Sequence, residues 1–285
     1  MINPSFENFF SYTPLEFDLV SHTLTLGFAV MLAALFYFVL TIRTVAPRYR
    51  ISSVLSVVVM VSAFLILYYQ QQSWTTAFNF NAETGLYERT AGTDPFTNGF
   101  RYLNWLIDVP MLLFQILFIV EITRQKRATL RNWFFFSGAL MIITGYIGQF
   151  YERPEAGESI SSWFYIWGAI STAFFFHVLF LIYRVIVEAR KTLSPRAGSV
   201  MGAIGVLFFV SWMLYPGAYL MPVFLDNVSG VVGRQITFTV ADIASKVFYG
   251  IMLTQVAQIR SEEDGYVQPG SEFLMGGKQA PATGD

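Results

Sequence analysis

Two ionisable side chains stand one helical turn apart in an apolar stretch near the C-terminus. Asp242 and Lys246 lie in the segment QITFTVADIASKVFYGIMLTQ, where a single charge at the centre of a membrane span costs about 2.5 to 3.5 kcal/mol. A lysine held out of water loses its proton readily and can attack an aldehyde to form a Schiff base. The pair indicates either a covalent cofactor site or a buried salt bridge, and composition and spacing alone do not decide between them.

A second polar pattern lies in the segment RYLNWLIDVPMLLFQ. At 100° per residue, Arg101, Asn104, Asp108 and Gln115 fall within an arc of roughly 60° and spread over roughly 21 Å of helix axis. A stripe this polar does not face lipid, and its members are too well aligned to be scattered surface residues. We therefore predict that it lines a path through a membrane.

The charges in these two segments balance. Arg101 and Lys246 offset Asp108 and Asp242 if the two helices face each other, and a low-dielectric interior tolerates a neutral cluster. Asp108, Asp242 and Lys246, if each stood alone in the membrane, would together cost on the order of 8 to 10 kcal/mol. A salt-bridge network that only clamps the helices together is the plain structural alternative to a transport path or a ligand site.

The composition is that of a membrane protein. Of 285 residues, 54% are hydrophobic and 13% are charged, whereas a soluble domain carries about a quarter charged residues. The absence of cysteine excludes disulfides, thiolate nucleophiles and cysteine metal sites. No basic run is long enough to bind nucleic acid. The first twenty residues have no basic segment before an apolar core, so we expect no cleavable signal peptide.

The hydropathy pattern predicts an all-α membrane protein, a bundle of seven transmembrane helices. A short extracellular hairpin is expected in the loop of about 18 residues after the second span, which combines turn signals with β-forming residues. Residues 1–19 form an N-terminal segment, 20–260 the helical domain, and 261–285 a disordered tail rich in Gly and Pro. Segments of about 20 apolar residues cross a bilayer, and the predicted spans are 20–45, 52–77, 97–124, 130–151, 160–188, 198–224 and 233–260.

The distribution of basic residues predicts the orientation. Lys and Arg concentrate after the first, third, fifth and seventh spans, and the opposite loops are mostly acidic. By the positive-inside rule the N-terminus is outside the cell and the C-terminus is in the cytoplasm. Arg101 then lies near the outer end of the third span, and Gln115 lies toward its inner end.

These motifs resemble those of a known family. The Asp-x-x-x-Lys pattern on the last span and the Arg-Tyr-x-x-Trp-x-x-x-x-Pro frame on the third are similar to those of the microbial rhodopsins, over residues 7–260. The resemblance implies that Lys246 carries all-trans retinal as a protonated Schiff base. On the third span, proton pumps of this family typically carry Asp, Thr and a carboxylate. The set Asn104, Asp108 and Gln115 resembles instead the light-driven sodium pumps.

The resemblance also implies roles for the surrounding residues. Asp108 is expected to be the counterion and proton acceptor, Arg101 a positive gate against backflow, and Ser62 a member of the polar cluster. A transient Na⁺ site is expected at Asn104 and Asp242, because a hard cation prefers oxygen ligands. An aromatic box around the retinal is implied at Trp105, Trp212, Tyr215 and Pro216, although ordinary core packing would suit these residues about equally well.

Gln115 separates the two transport hypotheses. In many proton pumps a carboxylate at this position reprotonates the Schiff base, and a neutral amide donates no proton at ordinary pH. Gln115 therefore argues against an efficient dedicated proton pump. Toward the cytoplasm the resemblance is looser, because Ser53 and Thr254 stand where Asn and Gly are common in the family.

Three charged residues near the outer face match an ion-release region of the sodium pumps. They are Glu7, Glu152 and Arg234, for which salt bridges at the rim, worth little energetically, are an equal alternative. The resemblance also suggests a homopentamer.

The sequence thus predicts a transporter and not an enzyme. We expect a multi-pass protein of a bacterial-type plasma membrane, with the lipid bilayer, Na⁺ and H⁺ as its partners, that exports sodium when illuminated. The alternatives are an outward proton pump and, in a different class, a photosensor that signals through the same retinal.

Overall fold

The computed structural model describes residues 5–152 and 159–267. Seven long helices run through these residues, which confirms the predicted seven-helix membrane bundle. Six of them are long and apolar enough to cross a membrane. The helix from Arg124 to Gln149 has the length but is less apolar, because four of its first eight residues are basic. The helices are α1 Pro14–Thr41, α2 Arg50–Ala77, α3 Gly99–Ile119, α4 Arg124–Gln149, α5 Ser162–Ala189, α6 Pro195–Tyr219 and α7 Val228–Glu263.

The first and last helices begin earlier than the hydropathy pattern predicts, because polar caps lie outside the apolar stretches. Helix α1 begins at Pro14, where the Thr13 side chain and Glu16 form a reciprocal capping box. Helix α7 begins at Val228, where the Asn227 side chain accepts a hydrogen bond from the Gly230 backbone N–H at 3.0 Å. Helix α6 ends at Tyr219, and a separate helical turn, Met221–Phe224, follows it.

The predicted hairpin between α2 and α3 is confirmed. Strands β1 Phe78–Asn81 and β2 Leu86–Arg89 pair antiparallel, and Gly85 takes the positive φ that their tight connection needs. Tyr12 bridges to Tyr87 on the second strand through two backbone hydrogen bonds of 2.9 and 2.7 Å. The hairpin therefore holds the N-terminal segment, including the 3-10 turn Phe6–Phe9, against the bundle.

Helices α3 and α7 form the centre of the bundle. In α3, 67% of the membrane-crossing residues are buried, against 22% in α1. The two central helices contact each other directly, since the Tyr249 hydroxyl donates to the Leu112 carbonyl at 2.8 Å. The polar stripe of α3 and the charged pair of α7 are buried in the protein interior: Arg101, Asn104, Asp108, Gln115, Asp242 and Lys246.

A close approach of α1 and α7 depends on a glycine. A Cβ at Gly250 would lie 2.5 Å from Cζ of Phe38, and Phe38 is fully buried. Since this is far shorter than a van der Waals contact, a side chain at position 250 would push the two helices apart.

We predict that Gly250→Ala lowers the free energy of unfolding by about 1 to 3 kcal/mol, the usual cost of overpacking a core. The measurement is the midpoint of thermal unfolding in detergent, followed by circular dichroism. Gly198→Ala is the matched control, because in the described part of the chain its Cβ position has no heavy atom within 4 Å beyond its chain neighbours and its own helix backbone. Equal midpoints for the two variants would contradict the prediction, and Phe38→Leu should restore part of the loss in the Gly250→Ala background.

Candidate functional site

The segment of α7 that carries Lys246 departs from α-helical geometry. Residues Ile243–Phe248 form a π-helical turn, with regular α-helix from Val228 to Asp242 before it and from Tyr249 after it. A π-helical turn holds one more residue than an α-turn and occurs often at functional sites. It changes the direction in which Lys246 projects relative to Asp242, and Gly250, which packs on Phe38, lies two residues after its end.

The amine of Lys246 is buried among three polar side chains. Nζ donates to Oδ1 of Asn104 at 2.6 Å and to Oδ1 of Asp242 at 2.8 Å, and it lies 3.3 Å from Oδ2 of Asp108. These contacts confirm that α3 and α7 face each other as charge balance requires. The positive charge of one amine is thus shared between two carboxylates.

Asp242 accepts four hydrogen bonds from side chains, which the sequence did not predict. Its Oδ1 accepts from the Trp105 indole N–H and from the Tyr215 hydroxyl, each at 2.9 Å, as well as from Lys246. Its Oδ2 accepts from Nη1 of Arg101, also at 2.9 Å. Asp242 is therefore fixed by four donors, and two of the residues expected to form an aromatic box also position this carboxylate.

Asp108 is much less constrained. Within residues 5–152 and 159–267, neither of its side-chain oxygens has a hydrogen-bond partner, and its contact with Lys246 is the ion pair at 3.3 Å. Both carboxylates are fully buried. The two acids are thus unequal, because Asp242 is held in place and Asp108 has free acceptor positions.

Neutral oxygens lie on the α2 side of the amine. Nδ2 of Asn104 donates to Oγ of Ser62 at 3.0 Å, while Oδ1 of Asn104 faces Lys246. The structure thus brings together the six residues that the sequence assigned to the polar cluster and its amine. They are Ser62, Arg101, Asn104, Asp108, Asp242 and Lys246.

Gln115 lies apart from this cluster. It is seven residues, about 10 Å of helix axis, beyond Asp108 on α3. It is fully buried, and in the described part of the chain neither its amide nitrogen nor its amide oxygen has a hydrogen-bond partner. A buried amide with both ends free is costly unless water or an ion meets it.

An apolar cavity adjoins the amine. All four residues of the expected aromatic box line it, together with Lys246. The other residues that line it are Tyr102, Val109, Leu112, Met141, Ile142, Gly145, Gly168, Ser171, Thr172, Phe175, Tyr219, Phe238 and Ser245. A long apolar molecule with a reactive carbonyl at one end fits this arrangement, because Lys246 contributes an amine to the wall of an aromatic cavity.

The three residues expected in the ion-release region also converge. Nη2 of Arg234 donates to Oε1 of Glu152 at 2.5 Å, and Nη1 of Arg234 lies 3.4 Å from Oε1 of Glu7. All three are buried, which separates them from an exposed rim salt bridge. Glu152 also accepts from the backbone N–H of Phe6, at 3.1 Å. Burial raises the pKa of Glu152, although the nearby Arg234 charge opposes that shift.

A further polar stripe on α7 was missed. Gln235, Thr239, Asp242 and Lys246 follow one another at spacings of four, three and four residues, so they share one face of the helix. The same period that identified the stripe on α3 could have found it. Thr239 accepts from Nη2 of Arg101 at 3.0 Å, and Gln235 accepts from the same nitrogen at 3.3 Å.

We predict that Asp242→Asn destabilises the protein more than Asp108→Asn does. Removing the Asp242 charge leaves Arg101 buried without a carboxylate partner, and breaking a buried pair in this way costs about 3 to 5 kcal/mol. Asp108→Asn still leaves Lys246 its contact with Asp242. The yield and thermal midpoint of the purified variants measure the difference, and an equal or larger loss for Asp108→Asn would contradict the unequal roles.

Comparisons with a family model, with known sequences and with solved structures all identify similar proteins of one kind, the rhodopsins. The model of the family described as bacteriorhodopsin-like protein matches residues 18–259. The chain is 28% identical to archaerhodopsin-2 of Halobacterium sp. (strain aus-2) over 164 residues, 58% of this chain and 59% of that protein. It therefore spans about three fifths of that relative's length. It is also 23% identical over 250 residues to the green-light absorbing proteorhodopsin of Gamma-proteobacterium EBAC31A08, covering 86% of each chain.

Two solved structures match nearly the whole chain. One is xanthorhodopsin, described as a light-driven ion pump with dual chromophore, with a TM-score of 0.81, 28% identity, and coverage of 91% of this chain and 100% of that one. The other is a thermophilic rhodopsin, with a TM-score of 0.81, 29% identity, and coverage of 90% and 98%.

Proposed function

The chain belongs to the bacteriorhodopsin-like family of microbial rhodopsins, and we propose that it is a light-driven pump that exports sodium from the cell. The observation that carries this proposal is the setting of Lys246, whose Nζ lies between the constrained Asp242, the unconstrained Asp108 and the neutral Asn104. Proteins of this kind are transporters and not enzymes.

Lys246 would hold retinal in the apolar cavity, which Trp105, Trp212 and Tyr215 also line. When bound there, retinal supplies the absorption of light and a light-driven change of shape. The protein's part is to orient the lysine nitrogen and to control the charges around it. The observation that supports this fit is that Lys246 is the one amine among the described residues that line the cavity.

The first step assigned to the protein is a proton transfer. A sodium ion cannot pass a fixed positive charge at Lys246 Nζ, because two like charges 4 Å apart repel by about 4 kcal/mol even at an effective dielectric of 20. The proton on Nζ must therefore leave before the cation passes. Asp108 is the acceptor, since its oxygen lies 3.3 Å away and its acceptor positions are free.

Once this proton has moved, the site favours a cation. Nζ and Asp108 are then both neutral, whereas Asp242 keeps its negative charge. Oxygens of Asp242, Asn104 and Ser62 offer the ligands that a hard cation prefers. We therefore place a transient sodium site here, with Asn104 and Asp242 as its principal ligands.

The direction of transport depends on residues on either side of this site. Arg101, bonded to Asp242 on the outer side, would act as a positive gate against return of the cation. Glu7, Glu152 and Arg234 would form the release region beyond it. On the other side, Gln115 is an amide that cannot reprotonate Nζ, which disfavours an efficient dedicated proton pump.

The same proposal includes the placement of the protein. Basic residues after the odd-numbered helices support an orientation with the N-terminal segment, residues 1–19, outside and residues 261–285 in the cytoplasm. Residues 20–260 would then form the helical domain in a bacterial-type plasma membrane. We retain the homopentamer as a proposal. The greater part of the predicted disordered tail, residues 268–285, lies outside the described residues.

The cation is tested by the light-induced pH change of cells suspended in NaCl and in KCl, each with and without a protonophore. We expect alkalinisation in NaCl that survives or grows with the protonophore, because primary sodium export draws protons passively inward. Acidification in NaCl that the protonophore abolishes would identify an outward proton pump instead. The absence of a signal in both salts would favour a photosensor.

The acceptor is tested by Asp108→Asn, with Asp108→Glu as its matched control. We expect the Asn variant to bind retinal, because Asp242 still contacts Lys246, but to transport no ion, because an amide does not accept the proton. The Glu variant keeps a carboxylate and should retain measurable transport. Visible absorption and light-induced sodium efflux are measured on the same membranes, and efflux by the Asn variant would assign the acceptor elsewhere.

A further inference from the structure

Gln235 lies between two buried polar networks. It is on α7, two turns before Asp242, and no part of it is exposed. The inner network joins Arg101, Asp242 and Lys246, and the outer network joins Glu7, Arg234 and Glu152. The proposed transport steps give Gln235 no part.

Each end of the Gln235 amide contacts a different network. Oε1 accepts from Nη2 of Arg101 at 3.3 Å. Nε2 donates to Oε1 of Glu7 at 2.8 Å and to Oδ1 of Asn98 at 3.0 Å. Asn98 in turn donates to the same Glu7 oxygen at 2.7 Å, so the outer end of the amide is held twice.

Chemistry fixes the orientation of this amide. Arginine has only donors and an ionised carboxylate has only acceptors, so the amide oxygen must face Arg101 and the nitrogen must face Glu7. Neither a carboxylate nor an apolar side chain at position 235 could satisfy both neighbours. Within residues 5–152 and 159–267, Gln235 is the one side chain hydrogen-bonded to both Arg101 and Glu7.

Arg101 is held by three acceptors, one of which is Gln235. Nη1 of Arg101 bonds to Asp242, while Nη2 is shared between Thr239 and Gln235. A change of charge or position at Glu7 alters the pull on the Gln235 nitrogen and hence the place of its oxygen. Arg101 must respond, and its distance from Asp242 sets the field at Lys246.

We propose that Gln235 is a positioning residue that couples the outer network at Glu7 to the charges around Lys246. A cation or proton that arrives at Glu7 is thereby sensed at the lysine nitrogen, and by linkage the state of the inner network is sensed at Glu7. The coupling does not depend on sodium being the transported ion. It needs only the retinal on Lys246 as a reporter of the field.

A double-mutant cycle on the absorption maximum of the retinal-bound protein tests this coupling. Glu7→Gln is made in the wild-type background and in Gln235→Met, which keeps the side-chain length but has neither donor nor acceptor. We expect Glu7→Gln to shift the maximum in the wild-type background and most of that shift to be lost in the Gln235→Met background.

Two control backgrounds separate coupling from simple loss of a polar group. Thr239→Val removes the other acceptor of Arg101 Nη2 without touching Glu7, so the full Glu7→Gln shift should remain. Gln149→Leu removes another buried glutamine, whose amide has no partner among the described residues, and it should also leave the shift unchanged. Gln235→Asn, one methylene shorter, cannot span both neighbours and replaces the Met variant if that variant fails to bind retinal.

The size of the Glu7→Gln shift in each background decides whether Gln235 couples the two networks. Loss of the shift in the Gln235 background, with the shift retained in both controls, supports the coupling. Equal shifts in the wild-type and Gln235 backgrounds would overturn it, as would no shift from Glu7→Gln in the wild-type background. These readings need no transport measurement, so a failure here and a failure of the sodium assay are distinguishable.

Discussion

The contact of one buried amine with two carboxylates is the constraint on which the rest of this structure depends. Lys246 cannot remain charged in the bundle interior without Asp242 and Asp108, and Asp242 in turn requires Arg101. Because these charges come from α3 and α7, the two helices must face each other at the centre. The remaining helices enclose them, and α1 has the smallest buried share of the six apolar helices, 22%.

The two carboxylates of the cluster are unequal in their hydrogen bonding, and the proposed function rests on this difference. A set of equally bonded charges would suit a salt-bridge network that only clamps the helices together. Here Trp105, Tyr215 and Arg101 hold Asp242, while Asp108 has no such donors in the described part of the chain. In the proposed transport step, Asp242 would stay charged while Asp108 accepts the proton, and this difference in hydrogen bonding supports that assignment.

The half of the bundle nearer the N-terminal segment continues the same hydrogen-bonded chain. From Lys246 it passes through Asp242, Arg101 and Gln235 to Glu7, over the hairpin side of the molecule. The N-terminal segment brings Glu7 into this chain because backbone hydrogen bonds tie Tyr12 to the second strand of the hairpin. Loop structure outside the membrane thus contributes a charged group to the interior.

The sequence by itself determined the features that depend on local spacing or on composition. These are the seven helical segments, the hairpin, the polar face of α3 and the proximity of Asp242 to Lys246 at four residues. Only the tertiary structure decided which groups meet across helices, because the rotation and depth of each helix are set by packing. In the folded protein Asp242 accepts more hydrogen bonds than Asp108, and Gln115 lies apart from the cluster. Gln235 is hydrogen-bonded to Glu7, which is 228 residues away in the sequence. The Thr13 and Asn227 caps, visible in the sequence but outside the apolar stretches, extended α1 and α7 beyond the hydropathy pattern.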